Sequence, residues 1–216
     1  MLHGSSGRVS MGNYKAVLFD FGNVIINIDP ELTLKAFSEI SGKSLARVKD
    51  KLEMSQLNRR YETGTFEDEE FREIVRQTIG YPFSDQEVDD AWNALLKDLP
   101  PYRISLILEL KDKYPVYLLS NTNSLHIKKC DQIFRDQFGI PNVKALFTKA
   151  FYSYEMGLWK PDKEIYNTVL RDIEQKAEDV LFIDDNAANI ASAAEMGFQT
   201  ILMDPKNDDV INHFKI

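Results

Sequence analysis

Five short apolar runs set the architecture: Ala16–Phe19, Val116–Leu119, Ala145–Phe147, Val180–Ile183 and Thr200–Met203. Each is too short for a stable helix and reads as a strand. Helical patterns separate the later runs. Ile104, Leu106, Ile107, Leu108 and Leu110 form one, and Leu125, Ile127, Ile133 and Phe134 a second. A third starts after Pro161 with Ile165, Tyr166, Val169 and Leu170, and a fourth runs from Ile190 to Met196 and stops at Gly197. Strands that alternate with helices imply an α/β fold with a doubly wound parallel sheet, a Rossmann-like core. The interval between the first two strands is too long for one crossover. It carries four amphipathic patterns, Leu32–Ile40, Leu45–Leu52, Phe71–Ile79 and Val88–Leu96, punctuated by Gly64, Gly80-Tyr81-Pro82 and Pro100-Pro101. Residues 27–102 therefore read as an inserted helical cap, with residues 11–26 and 103–216 as the core.

The 216 residues carry a net charge of −8, which disfavours nucleic-acid binding because phosphate backbones reward clustered Lys and Arg. A small anionic substrate stays compatible, since one local cation or a metal is enough to hold it. Cys130 is the sole cysteine, so neither an internal disulfide nor a cysteine metal framework is available, and a cytoplasmic setting fits. No apolar run reaches the ~20 residues of a membrane span. Residues 1–10 read as an expression scar or a disordered leader, because Met11-Gly12 resembles a second start. Oligomeric state is not encoded in any readable pattern.

Polar residues terminate several of the apolar runs, where open α/β sheets place their chemistry. Asp20 follows Val17-Leu18-Phe19 and precedes Phe21-Gly22-Asn23-Val24. An aspartate can attack phosphorus to form an acyl phosphate, or it can simply cap a turn. Ser120, before Asn121-Thr122-Asn123, can hold phosphate oxygens with its hydroxyl and the backbone N–H groups after it, or serve as an N-cap. Lys160, before Pro161, stands at a helix entrance, unfavourable for a cation unless an anion lies nearby; the alternative is a solvated lysine. Asp184-Asp185, before Asn186, are adjacent carboxylates that repel unless a cation sits beside them. Hard Mg²⁺ with oxygen ligands suits them, and two turn-forming acids before a helix are the alternative.

The order of these motifs resembles the haloacid dehalogenase superfamily, phosphatase branch, over Tyr14–Phe214. The motifs are Phe19-Asp20-Phe21-Gly22-Asn23-Val24, Leu119-Ser120-Asn121-Thr122-Asn123, Lys160-Pro161 and Ile183-Asp184-Asp185-Asn186. Gly22-Asn23-Val24 and the Ser-Asn-Thr-Asn and Asp-Asp-Asn runs are similar, more narrowly, to the bacterial alpha-D-glucose-1-phosphate phosphatase group. The resemblance implies that Asp20 is the nucleophile and a Mg²⁺ ligand, and that the Gly22 carbonyl also binds the metal. It implies that Ser120 and Asn121 bind substrate, that Lys160 pairs with the nucleophile and the transferring group, and that Asp184 and Asp185 hold Mg²⁺, with Asp185 the direct ligand. A small phosphorylated metabolite such as a hexose 1-phosphate is the implied substrate.

Gly22 departs from the family, where a second Asp usually acts as general acid and base, help worth ~10²–10⁴-fold. Its absence points to a slow phosphatase or a good leaving group, and an anomeric hydroxyl is more acidic than an ordinary sugar hydroxyl. Asp29 reads as the cap of the helix begun by Pro30, and His126 as a partly exposed helix residue. Trp159 either stacks on a sugar or anchors its loop. Tyr61-Glu62-Thr63-Gly64-Thr65 reads as a cap hairpin, and Cys130 as inert. Two other readings stand beside the phosphatase: a haloacid dehalogenase that needs no metal, and a non-catalytic binding module with a decayed site.

Overall fold

The computed structural model describes residues 14–214, so the leader assigned to residues 1–10 lies outside them. The chain runs β1 (Ala16–Phe19), α1 (Pro30–Ser41), α2 (Leu45–Ser55), α3 (Leu57–Glu62), α4 (Asp68–Ile79), α5 (Asp85–Asn93), α6 (Pro101–Lys111) and β2 (Val116–Ser120). It continues with α7 (Ser124–Phe138), α8 (Val143–Leu146), β3 (Lys149–Tyr152), α9 (Ser153–Met156), α10 (Lys163–Asp172), β4 (Val180–Asp184), α11 (Ala187–Glu195) and β5 (Gln199–Leu202). All strand pairs are parallel and the order is β3-β2-β1-β4-β5. β1 and β4 are thus neighbours although most of the chain separates them, and the order reverses there. A crevice at the carboxyl ends of the strands is the physical consequence.

Both faces of the sheet are covered, which explains why β1, β2 and β4 are buried at every residue. Val17, Phe19, Leu118 and Ile183 face one apolar cluster with Ile107 of α6 and Phe134 of α7. Leu18, Leu119 and Phe182 face the other, with Tyr166 of α10 and Ala193 of α11. Helices α1 to α5 share a further cluster, built on Phe37, Tyr61, Phe71 and Trp92 and joined by Leu125 of α7. The Tyr61 and Phe71 rings stack at 3.9 Å, and Phe71 meets Trp92 edge-on at 4.7 Å. Pairs of this kind add about 0.5–1.5 kcal/mol beyond their burial.

Three local expectations are corrected. Ala145–Phe147 is not a strand: Asn142 accepts from the Ala145 N–H and caps the turn that becomes α8. The strand is Lys149–Tyr152, an edge strand with an exposed lysine at its start. Tyr61–Thr65 is not a hairpin, because Tyr61 and Glu62 close α3 and a turn follows. Pro161 does not begin α10, which starts at Lys163 after Asp162 in the cap position; the Lys160–Pro161 peptide is cis.

The chain leaves and re-enters the sheet layer through paired segments. Asn27 N donates to Asp98 O at 3.0 Å, Lys97 N to Asn27 O at 2.9 Å and Asp29 N to Leu95 O at 2.9 Å. Buried Arg103 locks this crossing, donating to Asn27 Oδ1 at 2.9 Å, Ile25 O at 3.3 Å and Asp209 Oδ2 at 2.7 Å. Asp209 is partly exposed and keeps donors from Tyr102 and Ile211, so loss of Arg103 costs the charge-assisted hydrogen bonds rather than a stranded buried charge, about 1.5–3 kcal/mol. Arg103→Ala should lower unfolding stability by about that amount, read from the urea midpoint. A loss below ~1 kcal/mol would show that the pairing does not hold the crossing.

Candidate active site

Lys160 is the centre of the site. Its Nζ donates to Asp20 Oδ1 at 2.7 Å, to Asp184 Oδ2 at 2.7 Å and to Leu119 O at 2.9 Å. All three ammonium protons are therefore used, at the ends of β1, β4 and β2 respectively. The residue is 2% exposed, with Nζ 5.5 Å from the centre of the Phe182 ring. Asn121 explains how the lysine is aimed. Its side-chain amide donates to Lys160 O at 3.0 Å and accepts from Lys160 N at 2.9 Å, as a neighbouring strand would. The Asn121 side chain is thereby committed to the backbone of residue 160.

The carboxylates differ in what they leave free. Asp184 is fully buried and saturated: Oδ1 accepts from Asn186 N at 2.8 Å and Asn189 Nδ2 at 3.1 Å, and Oδ2 from Lys160 and, at 2.9 Å, Asn189 Nδ2. Asp185 is half-buried and accepts from Asn23 Nδ2 at 3.0 Å through Oδ2. Among the described residues, Asp185 Oδ1 and Asp20 Oδ2 have no hydrogen-bond donor. Asp20, Asp184 and Asp185 each offer an oxygen within 4.8 Å of the others. Burial pushes the Asp20 carboxyl up to about 7; Lys160 opposes the shift, and Asp184 and Asp185 add to it. Asp185 is raised as well, chiefly by burial. Burial opposes the charge on Lys160, yet Asp184 and Asp20 hold its pKa above the ordinary lysine value. One ammonium among three carboxylates leaves excess negative charge, and two undonated oxygens face it. That donor set fits a hard divalent cation.

Gly22 follows in the turn after β1. A Cβ there would lie 2.8 Å from Ile28 Cδ1, so the tip of that isoleucine packs directly against the glycine. Asn23, with φ 56°, completes this turn: its Oδ1 accepts from Ile28 N at 3.0 Å while its amide reaches Asp185. Ser120 ends β2, and its Oγ has only a 3.5 Å contact to Asn121 O, so the hydroxyl is available. The cap of α7 is Asn123, which accepts from His126 N at 3.1 Å. Asp29 caps α1, accepting from Glu31 N at 3.1 Å.

Gly22, Ser120 and Asn121 open onto a cavity of about 690 Å³ between the strand ends and helices α1, α2, α3 and α5. Its walls are mainly apolar. Trp159 lines it and donates from Nε1 to Glu62 Oε2 at 3.0 Å, while the Arg59 guanidinium lies 4.9 Å from its ring centre. Burial pushes the Glu62 carboxyl up to about 7, against the Trp159 hydrogen bond and the charge of Lys160. His126 is buried, correcting the expectation of partial exposure. It stacks on Trp92 at 5.5 Å and pairs through Nδ1 with Asn93 Oδ1 at 2.9 Å. Nδ1 therefore carries the proton and Nε2 is an acceptor. Cys130 is buried with its thiol pushed up to about 12, inert as expected.

The sequence reading missed Asn23, Asn189 and Glu62. Asn189 left a signal, being a polar residue beside the apolar positions Ile190 and Ala193 of α11. Glu62 falls within the Tyr61–Thr65 segment read as a cap hairpin, but its contact could not be assigned because its partner Trp159 lies 97 residues away.

A profile of haloacid dehalogenase-like hydrolases matches residues 14–197, and the chain belongs to that family. It is 30% identical over 187 residues to the D-ribitol-5-phosphate phosphatase of Bacteroides thetaiotaomicron, covering 86% of this chain and 90% of that one. It also resembles the solved structure of the HAD family enzyme BT-2542 of the same organism, in complex with magnesium and inorganic phosphate. That similarity has a TM-score of 0.82 at 33% identity, covering 94% of this chain and 100% of the other. A HAD-like hydrolase of Porphyromonas gingivalis superposes with a TM-score of 0.83 at 29% identity, covering 93% and 95%.

Burial lowers the His126 pKa to about 3, against ~6.5 unfolded. The native ring stays neutral while the unfolded chain takes up a proton below ~6.5, so stability is full above that value and falls as pH drops toward about 3. Between pH 7 and pH 5 this amounts to about 2 kcal/mol. His126→Gln should remove that component: the wild-type minus variant stability difference, from urea melts, should shrink by about 2 kcal/mol across the window. An unchanged difference would mean the ring is not held neutral.

Proposed function

We propose that this protein is a magnesium-dependent phosphatase of small phosphorylated metabolites, working through an aspartyl-phosphate on Asp20. One observation carries the reading: Asp20 has one oxygen clamped by Lys160 and the other undonated beside Asp185, at the ends of the strands. A free oxygen on an oriented carboxylate is what attack on phosphorus needs. Asp20 and Asp185 are the side chains that would hold Mg²⁺, with the Gly22 carbonyl, while Asp184 orients Lys160. The ion would neutralise charge on the transferring phosphoryl group. Lys160 donates to the same group, Ser120 donates its hydroxyl to a phosphate oxygen, and Asn121 contributes through its backbone and by fixing Lys160. The solved magnesium and phosphate complex of BT-2542 supports the metal and the reaction class.

The substrate proposed is a sugar or sugar-alcohol phosphate. A hexose 1-phosphate eases leaving-group departure at a site with Gly22, and the curated relative is named for ribitol 5-phosphate. Trp92 and Trp159 in the cavity wall suit the apolar face of such a molecule. Residues 27–102 act as the cap that excludes water, and 11–26 with 103–216 as the catalytic core. No described helix is long and apolar enough to cross a membrane.

Phosphate release from a panel including hexose 1-phosphates, hexose 6-phosphates and pentitol phosphates should require Mg²⁺ and stop on chelation. Asp20→Asn should abolish it while the protein stays folded. Activity that persists in Asp20→Asn would exclude the aspartyl-phosphate route. Mg²⁺ at 100 times its dissociation constant should stabilise the fold by about 2.7 kcal/mol, and Asp185→Asn should lose most of that shift.

A further inference from the structure

Gly22 leaves the reaction without the acid that leaving-group departure needs at the strand tip, where the end of the Ile28 side chain packs instead. The cavity wall offers the remaining candidates. Its acidic residues are Glu53 and Glu62, and Glu53 is exposed. Asp29 is spent on capping α1 and does not line the cavity. His126 lines it but is neutral, with an acceptor nitrogen left over, so it has no proton to give on that side. Glu62 differs from all of these. It is 8% exposed, faces the cavity that Gly22, Ser120 and Asn121 line, and is bonded to the neighbour of Lys160.

Helix α3 is seated firmly on the loop that carries Lys160. Arg59 pairs with Asp162 at 3.1 Å, and Trp159 donates to Glu62 at 3.0 Å. Gly64, with φ 68°, lies so flat on α9 that a Cβ would meet Tyr154 O at 2.3 Å. Glu62 is therefore held in position by both sides of the cavity rather than by its own helix alone. Trp159 engages its Oε2, and Asn58 of the same helix also bonds to the carboxyl.

We propose that Glu62, delivered by the helical segment rather than by the strand tip, is the general acid and base of the phosphatase reaction. This rests on the phosphatase reading above. In the first step an Asp20 oxygen bonds to phosphorus, and the bond from phosphorus to the leaving oxygen breaks with its electron pair on that oxygen. The Glu62 carboxyl proton passes to the same oxygen, so an alcohol departs. In the second step the Glu62 carboxylate takes a proton from water as the water oxygen bonds to phosphorus. The bond from phosphorus to Asp20 breaks, restoring the Asp20 carboxylate, releasing inorganic phosphate and leaving Glu62 protonated. A carboxyl titrating at about 7 is suited to alternate between these roles at neutral pH. With a proton supplied, the substrate need not have an acidic leaving group, and phosphates of ordinary primary alcohols come within range.

The test compares Glu62→Gln with wild type on two probes in Mg²⁺: benzyl phosphate, whose leaving alkoxide needs a proton, and p-nitrophenyl phosphate, whose leaving group does not. For Glu62→Gln, kcat/KM on benzyl phosphate should fall by ~10²–10⁴-fold. On p-nitrophenyl phosphate kcat/KM should fall less than ~10-fold while kcat falls further, because the water step still needs a base. Trp159→Phe, which removes the donor to Glu62, should show the same selectivity in weaker form. Equal losses in kcat/KM on both probes, or no loss on benzyl phosphate, would overturn the assignment. Wild-type turnover of p-nitrophenyl phosphate reports on the phosphatase reading separately, and its absence would overturn both.

Discussion

The contact on which the site depends is the ammonium of Lys160 held between Asp20, Asp184 and Leu119 O. A buried lysine with only carbonyl partners would shed its proton, and buried aspartates without a cation would take one up. Here each makes the other's charge tolerable. The consequence is geometric as much as energetic. The three acceptors sit at the tips of β1, β4 and β2, so those strands must end level with one another around a single nitrogen. The observed registers deliver that: Phe19 lies opposite Ile183 and Leu118, and Asp20 N donates to Ile183 O at 2.8 Å. Breaking such a buried set costs about 3–5 kcal/mol, a large part of a domain's net stability.

That arrangement explains which parts of the chain were legible. The buried central strands announce themselves because both faces are covered, leaving near-continuous apolar runs such as Val180–Ile183. The edge strand β3 does not. Its exposed Lys149 interrupts the run, while the neighbouring Ala145–Phe147 offers a better apolar string that Asn142 turns into a helix. Of the helices between β1 and β2, all but the six-residue α3 were readable from their period, and α5 has Ser84 and Glu87 in a capping box. The motif residues were readable one at a time, each with a structural alternative. What removes the alternatives is convergence, and convergence depends on strand order, which no local pattern states. Lys160 is the clearest instance. Its place before a helix pointed to a nearby anion, and Asp20 and Asp184 are there, but Asn121 aims the lysine and the helix starts at Lys163 rather than Pro161.

Glu62 and Gly22 are two sides of one packing problem. In the turn after β1, Ile28 closes on Gly22, and Asn23 ties the same turn to Asp185. A side chain at position 22 would have to push aside the Cδ1 end of that isoleucine, so the glycine suits the present packing of the turn. Glu62 is held from the other direction. Tyr61 beside it donates to Asp68 at 2.6 Å, lies 3.0 Å from Ser124 Oγ, and stacks on Phe71. The base of α3 is therefore bonded to α4 and to the first residue of α7, the helix that follows Ser120.

This linkage has a consequence for motion. If the helical segment swung away as a rigid unit, it would break the Trp159–Glu62 and Tyr61–Ser124 contacts together, since both start from the end of α3. Opening would then carry off the carboxyl that faces the cavity while leaving Asp20, Lys160 and Asp184 in place on the sheet. In the proposed reading the nucleophile and its clamp lie on the sheet, and the proton donor lies on the helical segment. Reaction would be confined to the closed state without any change at the nucleophile itself. Water admitted on opening would meet an aspartyl-phosphate lacking its base. In the proposed reading the helical segment would exclude solvent and would also complete the set of groups that the second step requires.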